Sequence, residues 1–194
     1  VGTQSEEVKE QYIQELADRI LRTGSEETAW AIRDLPNGAA AVIYPQLEQI
    51  IEDEVLRLKA YAAITRLADG GRKAVPKYIA VLKDYHRALN EVDYNLRSTK
   101  IKNIMKAPIG AMVGLCRLGV EALPAKEVLF SLINEDQPGW TPSVLAVNAL
   151  LAMGAYEELK QNYEGNERVW QQIQKSIRDK ERAEEKNRQF CGKY

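Results

Sequence analysis

The sequence predicts an all-α fold: a right-handed superhelical solenoid of about four helical hairpins, with a capping helix at each end. Three observations predict it. One phrase recurs down the chain, as Ala60-x-x-Ala63-Ile64-x-x-Leu67, Ala111-x-x-Gly114-Leu115-x-x-Leu118 and Ala146-x-x-Ala149-Leu150-x-x-Met153, with a looser copy Thr28-x-x-Ala31-Ile32-x-x-Leu35. Apolar residues at i, i+3, i+4 and i+7 mark a helix buried along one stripe, and the small member lets a neighbour approach closely. Between the copies lies a second, amphipathic kind of helix, each with a proline near its start: Pro45, Pro76 and Pro124. Finally, Ala31 and Ala63 are 32 residues apart and Gly114 and Ala149 are 35 apart, within the range of paired-helix repeats.

Taken in order, Thr3 and Glu6 have the spacing of a capping box for a first helix whose stripe is Val8, Tyr12, Ile13, Leu16 and Ile20, with Gly24 at its end. Ser25 caps the next helix, which carries Trp30, Ile32 and Leu35 and stops at Pro36-Asn37-Gly38. The first amphipathic helix carries Val42, Tyr44, Leu47, Ile50 and Ile51 and ends near Asp53; Pro45 falls nearly two turns in and predicts a kink. A single helix over 54–68 follows. The second amphipathic helix runs through Ala74, Val75, Pro76, Ile79 and Leu82 to Asp84, and the third through Ala122, Leu123, Pro124, Val128, Leu132 and Ile133.

Ala63 and Gly114 are 51 residues apart. Roughly 17 residues are therefore inserted relative to the repeat. They read as two helix extensions meeting at a turn over 92–95, and Pro108 is expected to bend the helix that follows. Thr141-Pro142 suits the N-cap and first position of the fourth phrase helix, which Gly154 ends. A short helix over 156–163 and a last one with Val169, Trp170, Ile173 and Ile177 complete the chain, before a mixed-charge segment over 178–188 that reads as a solvated face.

The units resemble HEAT-like repeats of the bacterial type, A-x-x-A-L-x-x-L-G followed by a short loop, A-x-P and an amphipathic helix. Leu118-Gly119-Val120-Glu121-Ala122-Leu123-Pro124 is the nearest match, and the resemblance extends from Ser25 to about Tyr163. It implies an N-terminal capping helix over 1–24, repeats over 25–163 with the insertion at about 85–104, and a C-terminal helix with a polar tail over 164–194.

Composition excludes several functions. The 194 residues are 45% hydrophobic and 28% charged, ordinary for a globular chain, and the net charge of −1 is not that of a general nucleic-acid binder. No apolar run approaches the roughly 18–20 residues of a membrane span. Cys116 and Cys191 read as a core thiol and an exposed tail thiol. The N-terminus does not settle a location: the cytoplasm is the expectation, and since the first residue is Val1 rather than a methionine, removal of a leader would make it the periplasm or cell exterior.

His86 is the single histidine, and no nucleophile elbow, zinc-ligand cluster or Walker loop accompanies it. No catalytic residue, metal site or cofactor is therefore assigned. The acidic clusters Glu52-Asp53-Glu54 and Glu135-Asp136 fall at helix junctions, where carboxylates cap amides and suit the helix dipole. A solenoid leaves a curved face suited to extended contact with a macromolecule. The expected function is a non-catalytic, protein-binding scaffold or adaptor. Its candidate surface comprises Gln46, Gln49, Lys77, Lys83 and Lys126, the insertion residues His86, Arg87, Tyr94, Arg97 and Lys100, and the loop residue Trp140. Two families with HEAT-like repeats supply the alternatives, the alkylpurine DNA glycosylases and the lyases that attach bilins. The first would need a continuous basic groove with a carboxylate at its floor.

Overall fold

The computed structural model describes residues 2–91, 105–134, 136, 139–186 and 190–192, and every regular element among them is helical. The turn expected over 92–95, and with it Tyr94, Arg97 and Lys100, lies outside the described residues.

Helix α1 (Gly2–Thr23) buries Ile13, Leu16, Ala17 and Ile20, while Val8 and Tyr12 of the same stripe are 64% and 56% exposed, so only its second half is covered. Ser25 starts α2 (Glu26–Arg33) by accepting the Thr28 amide at 3.2 Å. A 3-10 turn over Ala39–Ile43 leads into α3 (Tyr44–Glu52). That turn places Pro45 in the first turn of α3, where its missing N–H has no intrahelical acceptor to lose, and the expected kink is not needed.

The single helix expected over 54–68 is two short ones. Asp53 caps α4 (Glu54–Lys59), its Oδ1 accepting the amides of Val55 and Leu56 at 2.9 and 2.8 Å. The chain then bends at Ala60 (φ −102°, ψ 29°) into α5 (Tyr61–Ile64). A 3-10 segment over Thr65–Ala74, broken at Gly71, enters α6 (Val75–Glu91), which continues past Asp84 as the first of the expected extensions. Helix α7 spans Lys106–Leu118, so Pro108 lies in its first turn rather than inside it and imposes no bend.

After a break at Gly119, a 3-10 segment over Gly119–Ala125 precedes α8 (Lys126–Phe130), with Leu123 exposed and Ala122, Ala125 and Leu129 carrying the buried stripe. Trp140, not Thr141, is the N-cap of α9 (Thr141–Ala152), and its indole caps no amide. The work of tying that helix to the preceding loop falls to Ser143, whose Oγ accepts the Asn134 amide at 2.6 Å and donates to the Leu132 carbonyl at 3.3 Å. Helix α10 (Tyr156–Tyr163) has the expected bounds, and α11 (Glu167–Glu185) is capped by Asn166 on the Val169 amide at 3.3 Å.

The four helices that carry the phrase touch in chain order: α2 lies on α5, α5 on α7 and α7 on α9. The amphipathic helices form a second succession, α3 against α6 and α6 against α8. Among the described residues one hydrophobic cluster runs from Ile13 to Cys191. Two glycines set the approach of α7. A Cβ at Gly110 would fall on the Tyr61 carbonyl of α5, and one at Gly114 on the Tyr78 ring of α6. Helices this close exclude any side chain at those positions.

The expectation that no segment spans a membrane stands, and the expectation of free thiols is overturned. The stretch Lys106–Phe130 would pass for a membrane span by length and composition alone, yet it breaks at Gly119 and 56% of its 18-residue apolar window is buried within the protein, as in a core element. The cysteines are not free thiols. Cys116 on α7 and Cys191 in a terminal 3-10 turn (Phe190–Gly192) form a disulfide 75 residues apart in sequence, which pins the C-terminal tail to the middle of the fold. Spacing alone gave no sign of it, because the tail reaches α7 only after α11 has returned across the core.

Candidate functional site

Apart from Trp140, the predicted surface residues that are described fall on the amphipathic helices. Gln46 and Gln49 lie on α3, Lys77, Lys83, His86 and Arg87 on α6, and Lys126 at the start of α8. Gln49, Lys83 and Arg87 are exposed, and His86 is half-buried. The two lysines one or two residues after a proline have a structural task. Lys77 pairs with Glu52 and, at 3.7 Å, with Glu48 of α3, and Lys126 reaches Glu158 of α10 at 2.7 Å. The Glu52 hydrogen bond is the main reason that the Lys77 ammonium holds its proton above the usual lysine range. Arg87 shares Asp84 with Arg57 of α4, at 3.8 and 3.5 Å. This surface is of mixed charge. Trp140 is half-buried against the core, closing the start of α9.

The structure draws attention to a group that the sequence analysis did not single out. Arg66 is 1% exposed, and its Nη2 donates to the Pro36 carbonyl and to Asp69 Oδ2 at 2.6 Å. Asp69 Oδ2 also accepts the Ala40 amide at 3.1 Å. From α7, Arg117 Nη2 donates to Asn37 Oδ1 at 2.8 Å and stands 3.6 Å from Asp69 Oδ1. Two guanidiniums thus share one carboxylate. Burial, followed by the repulsion of Arg66, lowers the Arg117 pKa below the ordinary arginine value. A buried charge is tolerated only when paired and hydrogen-bonded, and among the described residues one positive charge of this cluster is left over.

The cluster forms one end of a cavity of about 210 Å3 between α2, α5 and α7. Trp30 and Tyr61 meet edge to face at 5.5 Å at its rim, Arg33 lies 4.2 Å over the Trp30 ring, and Arg33 Nε donates to Asp34 at 2.8 Å. Burial and then Glu26 raise the Tyr61 phenol pKa. Leu35, Ile109 and Val113 supply apolar wall, and the disulfide sulfur-bearing Cys191 reaches the same cavity.

A signal for this site is present in the repeat. The residue before the last apolar position of the phrase is Asp34, Arg66 and Arg117 in the first three copies, and Ala152 in the fourth. Equivalent positions of helices laid in succession stack side by side, so the first three line one cavity.

Among the described residues no three His, Cys, Asp or Glu side chains gather as a metal site. The cavity offers hydrogen-bond donors, positive charge and apolar wall, which is the equipment of a binding site. Comparison of the chain with protein-family models, with curated proteins and with solved structures finds no match in any of the three.

Proposed function

We propose that the chain is a right-handed HEAT-like solenoid acting as a non-catalytic scaffold, which binds a protein partner along the face made by α3, α6 and α8. The observation that carries this reading is the succession of contacts, with α2, α5, α7 and α9 in one row and α3, α6 and α8 in the other. Rows of this kind create extended surfaces suited to a macromolecular partner. The mixed charge of the face favours a protein over a phosphate backbone, which would demand a run of unpaired cations. The Cys116–Cys191 disulfide suits an oxidising compartment.

The test is affinity capture with the full chain and with a Lys83→Glu/Arg87→Glu double variant, beside a Glu157→Lys control on α10. The expected outcome is one partner retained by wild type and control and lost by the double variant. Capture of the same partner by all three would overturn the reading, as would tight, salt-sensitive binding of duplex DNA by the wild type, which belongs to the glycosylase alternative.

A further inference from the structure

We propose that the cavity between α2, α5 and α7 binds a small carboxylate that carries an apolar, ring-sized body. This site lies in the row of phrase helices and does not depend on the face assigned to a protein partner. Three observations converge on it.

The first is charge. Among the described residues, Arg66 and Arg117 divide a single carboxylate between them and Arg33 has a partner in Asp34, so the described part of the buried group carries one cation in excess. The second is unmet hydrogen-bonding capacity. Arg66 Nε is buried without an acceptor, and among the described residues the side-chain contacts of Arg117, which lines the same cavity, run through Nη2 to Asn37 and Asp69. A carboxylate matches a guanidinium fork with two parallel hydrogen bonds. The third is the remaining wall. Leu35, Ile109 and Val113 offer no polar atom from their side chains, and the Trp30–Tyr61 pair presents an aromatic edge. An engineered apolar cavity of about 150 Å3 holds benzene. The 210 Å3 here therefore admits a six-membered ring together with a carboxylate. Inorganic anions would satisfy the arginines and leave the apolar wall uncovered, whereas a neutral ring would do the reverse.

The probes are sodium benzoate, its neutral isostere benzamide, and inorganic phosphate, added to the full chain with its disulfide intact. Calorimetric titration and thermal unfolding report binding. Benzoate is expected to bind saturably and to raise Tm, with benzamide and phosphate at least tenfold weaker. Arg117→Met removes the excess charge while keeping the Arg66–Asp69 pair, and it is expected to weaken benzoate at least tenfold. Val113→Phe fills the cavity with every charge in place and is expected to abolish benzoate binding without altering the Arg66–Asp69–Arg117 contacts. The proposal is overturned if benzoate fails to bind, if benzamide or phosphate binds equally well, or if benzoate binds Val113→Phe as it binds the wild type. Should Arg117→Met not fold, Val113→Phe and the three probes decide. A failure here leaves the partner-binding face untouched, because none of its residues lines the cavity.

Discussion

The seam between α5 and α7 and the seam between α7 and α9 are built from the same repeated phrase and are filled in opposite ways. At the α7–α9 seam, α9 is buried nearly all round, from Pro142 through Leu151, with Ser143 and Asn148 as its buried polar side chains. At the α5–α7 seam, Gly110 brings the helices into backbone contact, and the space beside that contact holds two arginines, an aspartate and a cavity. A small-residue phrase fixes how close two helices lie. It does not fix what the flanking positions carry. Where those positions are apolar the seam is stabilising core; where they are charged the seam holds a polar cavity.

The sharpest way to break this contrast is Asp69→Asn, which leaves Arg66 and Arg117 buried without their shared carboxylate. It is expected to cost about 3–5 kcal/mol in chemical denaturation, since removing one partner of a buried ion cluster strands the others. On the apolar seam, Leu150→Ala removes a fully buried side chain and is expected to cost about 3 kcal/mol, with no effect on binding of benzoate. Gly110→Ala drives a methyl group against the Tyr61 carbonyl, a strain of about 1–3 kcal/mol that urea unfolding will register as a lower midpoint.

The smallest effect is one of pH. Tyr85 is buried with no acceptor for its hydroxyl, and burial pushes its pKa above the ordinary tyrosine value of 10.0. Below pH 10 the phenol is neutral in folded and unfolded chains alike. Above it the unfolded chain loses the proton first, so stability falls as pH rises, by up to about 1.4 kcal/mol per pH unit for this group. Tyr78, also raised by burial, and Tyr44, pushed up to about 12 by burial and Glu48, act in the same direction. Tyr85→Phe is expected to match or slightly exceed wild-type Tm at pH 7 and to lose less Tm than wild type between pH 9 and 11.

The helices were legible in the sequence because apolar periodicity and capping residues are local. Ser25, Gly24 and Gly154 mark element ends where expected. Pro45 and Pro108 sit in first turns rather than inside helices, because a 3-10 turn and a later helix start shift the register. The bend at Ala60 leaves no mark in the sequence, because alanine has no preference for a break. The arginine cluster was legible only in part. Single arginines inside an apolar phrase look like solvated positions until the copies are laid side by side, and the aspartate that pairs them lies outside the phrase. The disulfide was invisible, since it joins a core helix to a polar tail through contacts made by α11.

The proposed solenoid requires that the helices stack in series, each held mainly by its neighbours. Native-state hydrogen exchange on Gly110→Ala tests it most directly. Serial stacking predicts that amides of α5 and α7 lose protection first and that those of α10 and α11 keep wild-type rates. An equal loss of protection in all the helices would contradict the account.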